Sequence, residues 1–278
     1  MIFGALIRNL VSWLICGMML IVLPSVKCQT TAVGARSASM AGASVLLEDA
    51  WGVNNNPAGL ARYRNISMAT SLEQRFLMKE LGYYGLVTTL PVRSGCFGFC
   101  ALYSGYSSFI DQKIMTGYGR QFGKRILAGV SLLYVYQHAT GESHAVHQVS
   151  YEFGTIVLLS DRASLAITSF NPFRFYYKSD EYATLPSIFK LGFSYRYNSS
   201  LLILTELEKD LDFPPDLIIA LEYNQGEKIF IRAGIRGMPM VYSFGAAFRH
   251  KKYMLEFASY YHHYLGFTPQ ITFQYDLK

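Results

Sequence analysis

Phe189-Lys190-Leu191-Gly192-Phe193-Ser194-Tyr195-Arg196-Tyr197 alternates without interruption. On an extended chain successive side chains point to opposite faces, so Phe189, Leu191, Phe193, Tyr195 and Tyr197 share one side. Lys190, Gly192, Ser194 and Arg196 share the other. The period is two rather than that of a helix. In a soluble sandwich such an apolar face meets a second sheet. In an outer-membrane barrel it meets lipid, and the polar face lines the lumen.

The same split recurs downstream. Ile229, Ile231, Ala233 and Ile235 oppose Phe230, Arg232, Gly234 and Arg236. Tyr242, Phe244 and Phe248 oppose Ser243, Gly245, Ala247 and Arg249. Ile271, Phe273 and Tyr275 oppose Thr272, Gln274 and Asp276. Strands are expected near 64–75, 80–91, 95–105, 109–122, 125–138, 145–159, 163–171, 186–197, 200–209, 216–225, 228–236, 239–250, 252–262 and 265–277. That is about fourteen, an even count as single-chain bacterial barrels require. Most reach the roughly 9–11 residues of a tilted membrane crossing. Short polar turns such as Gly123-Lys124 and Asn198-Ser199 follow the even strands. Longer connections, above all 171–185, follow several odd ones, the asymmetry of a barrel whose short turns are periplasmic. The long loop carries Phe173, Phe175, Tyr176 and Tyr177, which either fold over the barrel mouth, touch a partner or form a plain surface loop.

Composition agrees. Aromatic residues make up 15% of the 278-residue chain and charged residues 16%, below the roughly 25% charged of soluble domains. That argues against a cytosolic enzyme. The formal net charge of +6 is spread singly, with no basic run to hold nucleic acid. Residues 1–28 read as a signal peptide: Arg8 precedes the apolar run Leu10 to Val22, which Pro24 breaks. The run is short for a membrane anchor of about 20 residues. Cys96 and Cys100 lie in one expected strand, on one face roughly 13 Å apart at about 3.3 Å per residue, too far for a disulfide. The six histidines form no metal-ligating motif, no Gly-x-Ser-x-Gly elbow is present, and no cofactor is implied.

By parity, Lys190, Arg196, Arg232, Arg236 and Arg249 face the lumen with Glu206, Glu222 and Glu256. An Arg or Lys turned to lipid at mid-membrane costs about 2–4 kcal/mol. Turned inward, opposite signs on neighbouring strands pair. The result is a salt-bridged, filled barrel or a polar path past a plug.

The segment 34–61 is rich in Gly, Ala and Ser, and ends in the turn signal Asn56-Pro57-Ala58-Gly59. Small residues ahead of many hairpins suggest a plug inside a barrel. The opening Gly34-Ala35-Arg36-x-Ala38-x-Met40-x-Gly42-Ala43 and the close Asn56-Pro57-Ala58-Gly59-Leu60-Ala61 resemble the start of FadL-like outer-membrane barrels. Together with the last hairpin, Tyr261 to Tyr275, they are nearest the PorV/PorQ-type barrels of Bacteroidota associated with type IX secretion. The resemblance implies an outer-membrane protein of three parts: signal peptide 1–28, plug 29–62, barrel 63–278. It implies that Gly34, Arg36, Met40, Gly42, Asn56, Pro57 and Ala58 form a hatch, either a moving gate or a fixed plug. It also implies a non-enzymatic component of a secretion or surface-assembly system with protein partners. The alternative it implies is a FadL-like channel for small hydrophobic molecules. Outer-membrane lipid is the partner under either reading.

Overall fold

The computed structural model describes residues 32–141, 144–173, 185–237 and 240–277. The expected signal peptide and the first residues of the expected plug, 29–31, lie outside them, as do Phe175, Tyr176 and Tyr177.

The strands are β1 (Ser67–Gln74), β2 (Gly82–Val92), β3 (Gly95–Tyr106), β4 (Phe109–Phe122), β5 (Ile126–Ala139), β6 (Val146–Leu158), β7 (Ala163–Phe170), β8 (Ile188–Arg196), β9 (Leu201–Asp210), β10 (Asp216–Gln225), β11 (Ile229–Arg236), β12 (Val241–His250), β13 (Tyr253–His262) and β14 (Gly266–Asp276). Each pairs antiparallel with its sequence neighbours, and β1 pairs with β14 from Ser67↔Asp276 to Glu73↔Gln270, closing the barrel. Closure satisfies every strand edge, which is what allows a sheet to stand in hydrocarbon.

The alternation read in β8 holds in three dimensions. Phe189, Leu191, Phe193 and Tyr195 are exposed, while Lys190, Gly192 and Ser194 are buried. The exterior is a continuous apolar surface, including Leu86, Phe99, Leu132, Phe153, Ile167, Leu221, Ile231, Phe244, Leu255 and Phe273. Tyrosines gather towards its margins: Tyr84 lies beside Tyr103 at one end, and Tyr253 stacks on Tyr275 at the other, with ring centroids 5.0 Å apart. This is the girdle arrangement of a membrane barrel.

Turn lengths are only partly asymmetric. The end that carries the turns after even strands is uniformly short. The opposite end mixes long connections, such as 75–81 and 171–187, with the two-residue Ser107-Ser108 turn between β3 and β4.

Residues 33–62 run inside the ring. They form two short helices, α1 (Ala35–Ala38) and α2 (Gly52–Asn55), and a 3-10 helix, Pro57–Arg62. Asn56 caps the 3-10 helix: its Oδ1 accepts from Ala58 N at 2.9 Å, and Pro57 opens it with a preset φ. Gly34 and Gly42 have φ of 99° and 87°, the left-handed region that side chains disfavour. Two asparagines tie the arms of the segment together. Asn55 exchanges hydrogen bonds with Val33 at 2.9 and 3.0 Å, and Asn56 Nδ2 donates to the Val45 carbonyl.

Small residues on the inner wall make room for this segment. A Cβ added at Gly129 would lie 2.3 Å from the Pro57 carbonyl carbon, and one at Gly154 would lie 1.9 Å from Asn56 Oδ1. Added at Gly192 or Gly234, it would strike Val45 or Met40.

Candidate functional site

The interior is divided lengthwise. One arc, from β2 to β5, holds an apolar cluster: Val33, Trp51, Val53 and Leu60 of the inner segment pack with Val87, Cys96, Cys100, Leu102, Leu133 and Val135 of the wall, and towards the long-loop end of this side Glu73 pairs with Arg75 and Asp111 with Lys113. Phe170 and Leu185 adjoin the same cluster at the long-loop end. Cys96 and Cys100 are buried free thiols in this arc. Trp51 is 2% exposed, and its Nε1 has no hydrogen-bond partner among the described residues, which leaves packing to hold the ring.

The facing arc, from β8 to β13, is charged, and its ion pairs form two groups. In the first, Arg36 Nε and Nη2 donate to both Glu222 oxygens at 2.9 Å. Arg232 Nε donates to Glu222 at 2.7 Å and its Nη1 to Glu256 at 2.8 Å. Arg232 and Glu222 sit directly opposite each other across β10 and β11. Asp49 lies 3.7 Å from Arg36. Burial pushes the Asp49 carboxyl up to about 6 against the opposing pull of Arg36. Burial draws the Arg36 pKa down, but Glu222 and Asp49 outweigh it and leave the guanidinium above its ordinary value.

In the second group Lys190 lies 3.2 Å from Glu208 and 3.8 Å from Glu206. Arg236 Nε donates to Asp216 at 2.7 Å and its Nη2 to Glu208. Asp216 and Glu208 face each other across β9 and β10, so Arg236 relieves a like-charge pair. Glu206 accepts from the Ser44 and Val45 amides at 2.7 and 2.9 Å, and Lys190 donates to Ser44 Oγ at 3.2 Å.

Both groups therefore do more than fill space. Each joins a wall carboxylate to the inner segment, through Arg36 in one and through the amides of residues 44–45 in the other. Such buried pairs contribute little net stability but cost heavily when one partner is removed. Further ties come from Ala35 N donating to Thr272 Oγ1 at 2.9 Å and Ser243 Oγ donating to the Ser39 carbonyl at 2.9 Å.

Six of the eight expected lumen charges, Lys190, Glu206, Glu222, Arg232, Arg236 and Glu256, are buried and paired as described. Arg196 and Arg249 point inward but sit at the short-turn end, exposed and without a carboxylate partner among the described residues. Arg249 lies instead over the Phe230 ring, 5.6 Å from its centroid. Glu208 and Asp216 are additions to the expected set. Their parity with Glu206 and Glu222 is the sequence signal that identifies them. Of the residues expected to form a hatch, Arg36, Met40, Asn56, Pro57 and Ala58 all touch the wall or the opposite arm, and Met40, Asn56 and Ala58 are fully buried. Gly34 lies against Trp51 and Gly42 against Arg236. Phe173 is 74% exposed in the long loop. Among the described residues no group of three or more His, Cys, Asp or Glu side chains is placed to hold a metal.

No family model and no curated protein matches the chain. Solved structures do. The CymD monoaromatic hydrocarbon channel superimposes with a TM-score of 0.71 at 12% identity, over 88% of this chain and 98% of that one. The toluene transporter TbuX of Ralstonia pickettii gives 0.67 at 9% identity, over 90% of this chain and 100% of that one. A FadL homologue of Pseudomonas aeruginosa gives 0.65 at 9% identity, over 88% and 98%. At these identities the likeness is one of fold. The chain is a closed fourteen-stranded antiparallel barrel with the fold of FadL-type outer-membrane barrels.

Proposed function

We propose that this protein is a non-enzymatic outer-membrane channel for small hydrophobic molecules, and that residues 33–62 are its gate. The observation that carries the reading is the apolar arc. It runs as one connected cluster from Phe170 and Leu185 at the long-loop end to Cys96, which follows the short turn at 93–94. A neutral hydrocarbon finds apolar surface along most of this side, and the inward charges on it, Glu73 with Arg75 and Asp111 with Lys113, are paired and lie towards the long-loop end. The inner segment forms part of the arc through Val33, Trp51, Val53 and Leu60, so passage requires its displacement. Clefts lined by apolar side chains with a few placed polar groups are the usual form of small-molecule sites. The folds compared above, CymD and TbuX among them, are named for monoaromatic hydrocarbons and toluene, which favours the same chemistry.

The assembly reading, a PorV/PorQ-type component, rests on the two sequence ends alone and takes second place. It requires a stable protein partner recovered with the barrel. The channel reading is tested in cells whose outer membrane contains lipopolysaccharide, the barrier that slows hydrocarbons. Cells carrying the protein are expected to take up labelled toluene faster than cells lacking it. Equal rates would overturn the channel reading, and co-purification of a stoichiometric partner would favour assembly.

A further inference from the structure

A cavity of about 660 Å³ lies at the short-turn end of the barrel, below the inner segment. That volume falls within the roughly 300–1,000 Å³ of small-molecule sites. Its wall carries six cations, Arg36, Arg62, Lys124, Arg125, Arg162 and Arg196, against two carboxylates, Glu48 and Asp161. Arg36 is committed to Glu222 and Asp49, and Arg62 lies 3.5 Å from Glu48. Lys124, Arg125, Arg162 and Arg196 have no carboxylate within ion-pair distance among the described residues. They come from the β4–β5 turn, the β6–β7 turn and the end of β8, so the fold gathers four unpaired cations around one cavity. Like charges so placed repel one another unless an anion is shared between them. All four are exposed at the short-turn end, but Arg125, Arg162 and Arg196 share the inward parity of Leu127, Ala166 and Ser194, so they face the mouth of the lumen rather than the headgroups of the surrounding bilayer. The rest of the lining includes Leu46, Ile156, Leu158 and Leu202. An inorganic anion has no use for such a floor.

We propose that this vestibule is a binding site for a small amphipathic carboxylate, its charge among Lys124, Arg125, Arg162 and Arg196 and its apolar body on Leu46, Ile156, Leu158 and Leu202. The site is separate from the apolar arc and does not depend on the barrel conducting hydrocarbons. Guanidinium groups suit it, because each presents a fork of donors matched to a carboxylate.

The test uses the full mature chain in nanodiscs of zwitterionic phospholipid, titrated calorimetrically with benzoate at neutral pH. Benzyl alcohol, inorganic phosphate and an oligoglutamate peptide serve as comparison probes. Benzoate is expected to bind more tightly than all three. Arg125→Gln with Arg196→Gln is expected to weaken benzoate at least about tenfold, as for loss of charge-assisted hydrogen bonds. Heat-modifiable migration of the variant reports that the barrel remains closed. Where the variant does not fold, the wild type alone decides. Its benzoate affinity falls between 0.1 and 1 M salt, over which the screening length drops from about 10 Å to about 3 Å. Phosphate or benzyl alcohol binding as well as benzoate, an affinity independent of salt, or no benzoate binding would overturn the proposal. The oligoglutamate binding far more tightly than benzoate would overturn it in favour of an acidic protein partner.

Discussion

Glu222→Ala is expected to lower the stability of the folded barrel by about 3–5 kcal/mol, the scale for removing one partner of a buried ion pair. Glu222 accepts three hydrogen bonds, two from Arg36 and one from Arg232. Without it Arg232, which is 2% exposed, keeps only Glu256, and Arg36 keeps only Asp49 at 3.7 Å. Each guanidinium then keeps one carboxylate but loses the charge-assisted hydrogen bonds that Glu222 accepted. The loss also cuts the strongest polar link between α1 and the wall. The inner segment is therefore expected to loosen before the barrel opens. Trp51, whose ring lies beside Gly34 and Gly85, reports this as a red shift of emission at denaturant concentrations where the strands persist. Glu222→Gln keeps an acceptor but not the charge, and falls between wild type and alanine. Glu227→Ala, in an exposed turn, stays within about 0.5 kcal/mol. A Glu222→Ala barrel as stable as wild type, with Trp51 unmoved, would show that the ion pairs do not anchor the segment.

Gly129→Val and Gly154→Val test the opposite contact, steric rather than electrostatic. Both glycines face the lumen where Asn56 and Pro57 pass. The Gly129 substitution drives a methyl-bearing carbon into the backbone of Pro57, which has no rotamer to give. The Gly154 substitution meets the Asn56 side-chain oxygen, which also caps the 3-10 helix and cannot swing away without losing that hydrogen bond. Overpacking costs about 1–3 kcal/mol in a core able to adjust, and the cap contributes a further 0.5–2 kcal/mol or so. The expected outcome is displacement of residues 56–62, read as new protease cleavage in an otherwise intact barrel, with Gly129→Val the more severe. Ala233→Val, outward on β11, adds a methyl pair to the lipid face and produces no cleavage. Protection of the segment in both glycine variants would mean that the wall does not hold it there.

The strand order and facing were legible because period two survives in almost every strand. The expected and observed boundaries differ by at most three residues, the largest gap falling at the start of β1. Lumen charges were legible for the same reason, as Lys190 and Arg232 illustrate: turned outward, either would meet hydrocarbon. Their partners were less so. Glu208 shares a face with Glu206, but whether it pairs depends on the register that sets Lys190 opposite Glu208 rather than Glu206. The seating of the inner segment was not legible either. That Gly154 receives Asn56 and Gly234 receives Met40 depends on how a chain of small residues crosses the ring, and alternation carries no information about that. Nor does alternation announce the cationic vestibule, whose residues come from separate turns.

On the proposed reading, residues 33–62 close a barrel otherwise wide enough to pass solute. Planar-bilayer recordings test it directly, comparing the intact protein with a chain lacking residues 32–62. Eight-stranded barrels are filled by their own side chains, whereas barrels of about sixteen strands leave an aqueous channel. A fourteen-stranded wall that places nine of its inward positions at glycine should resemble the latter once emptied. The intact protein is predicted to show no steady ionic conductance, and the shortened chain discrete conductance steps. Equal conductance from the two, open or closed, would contradict the account.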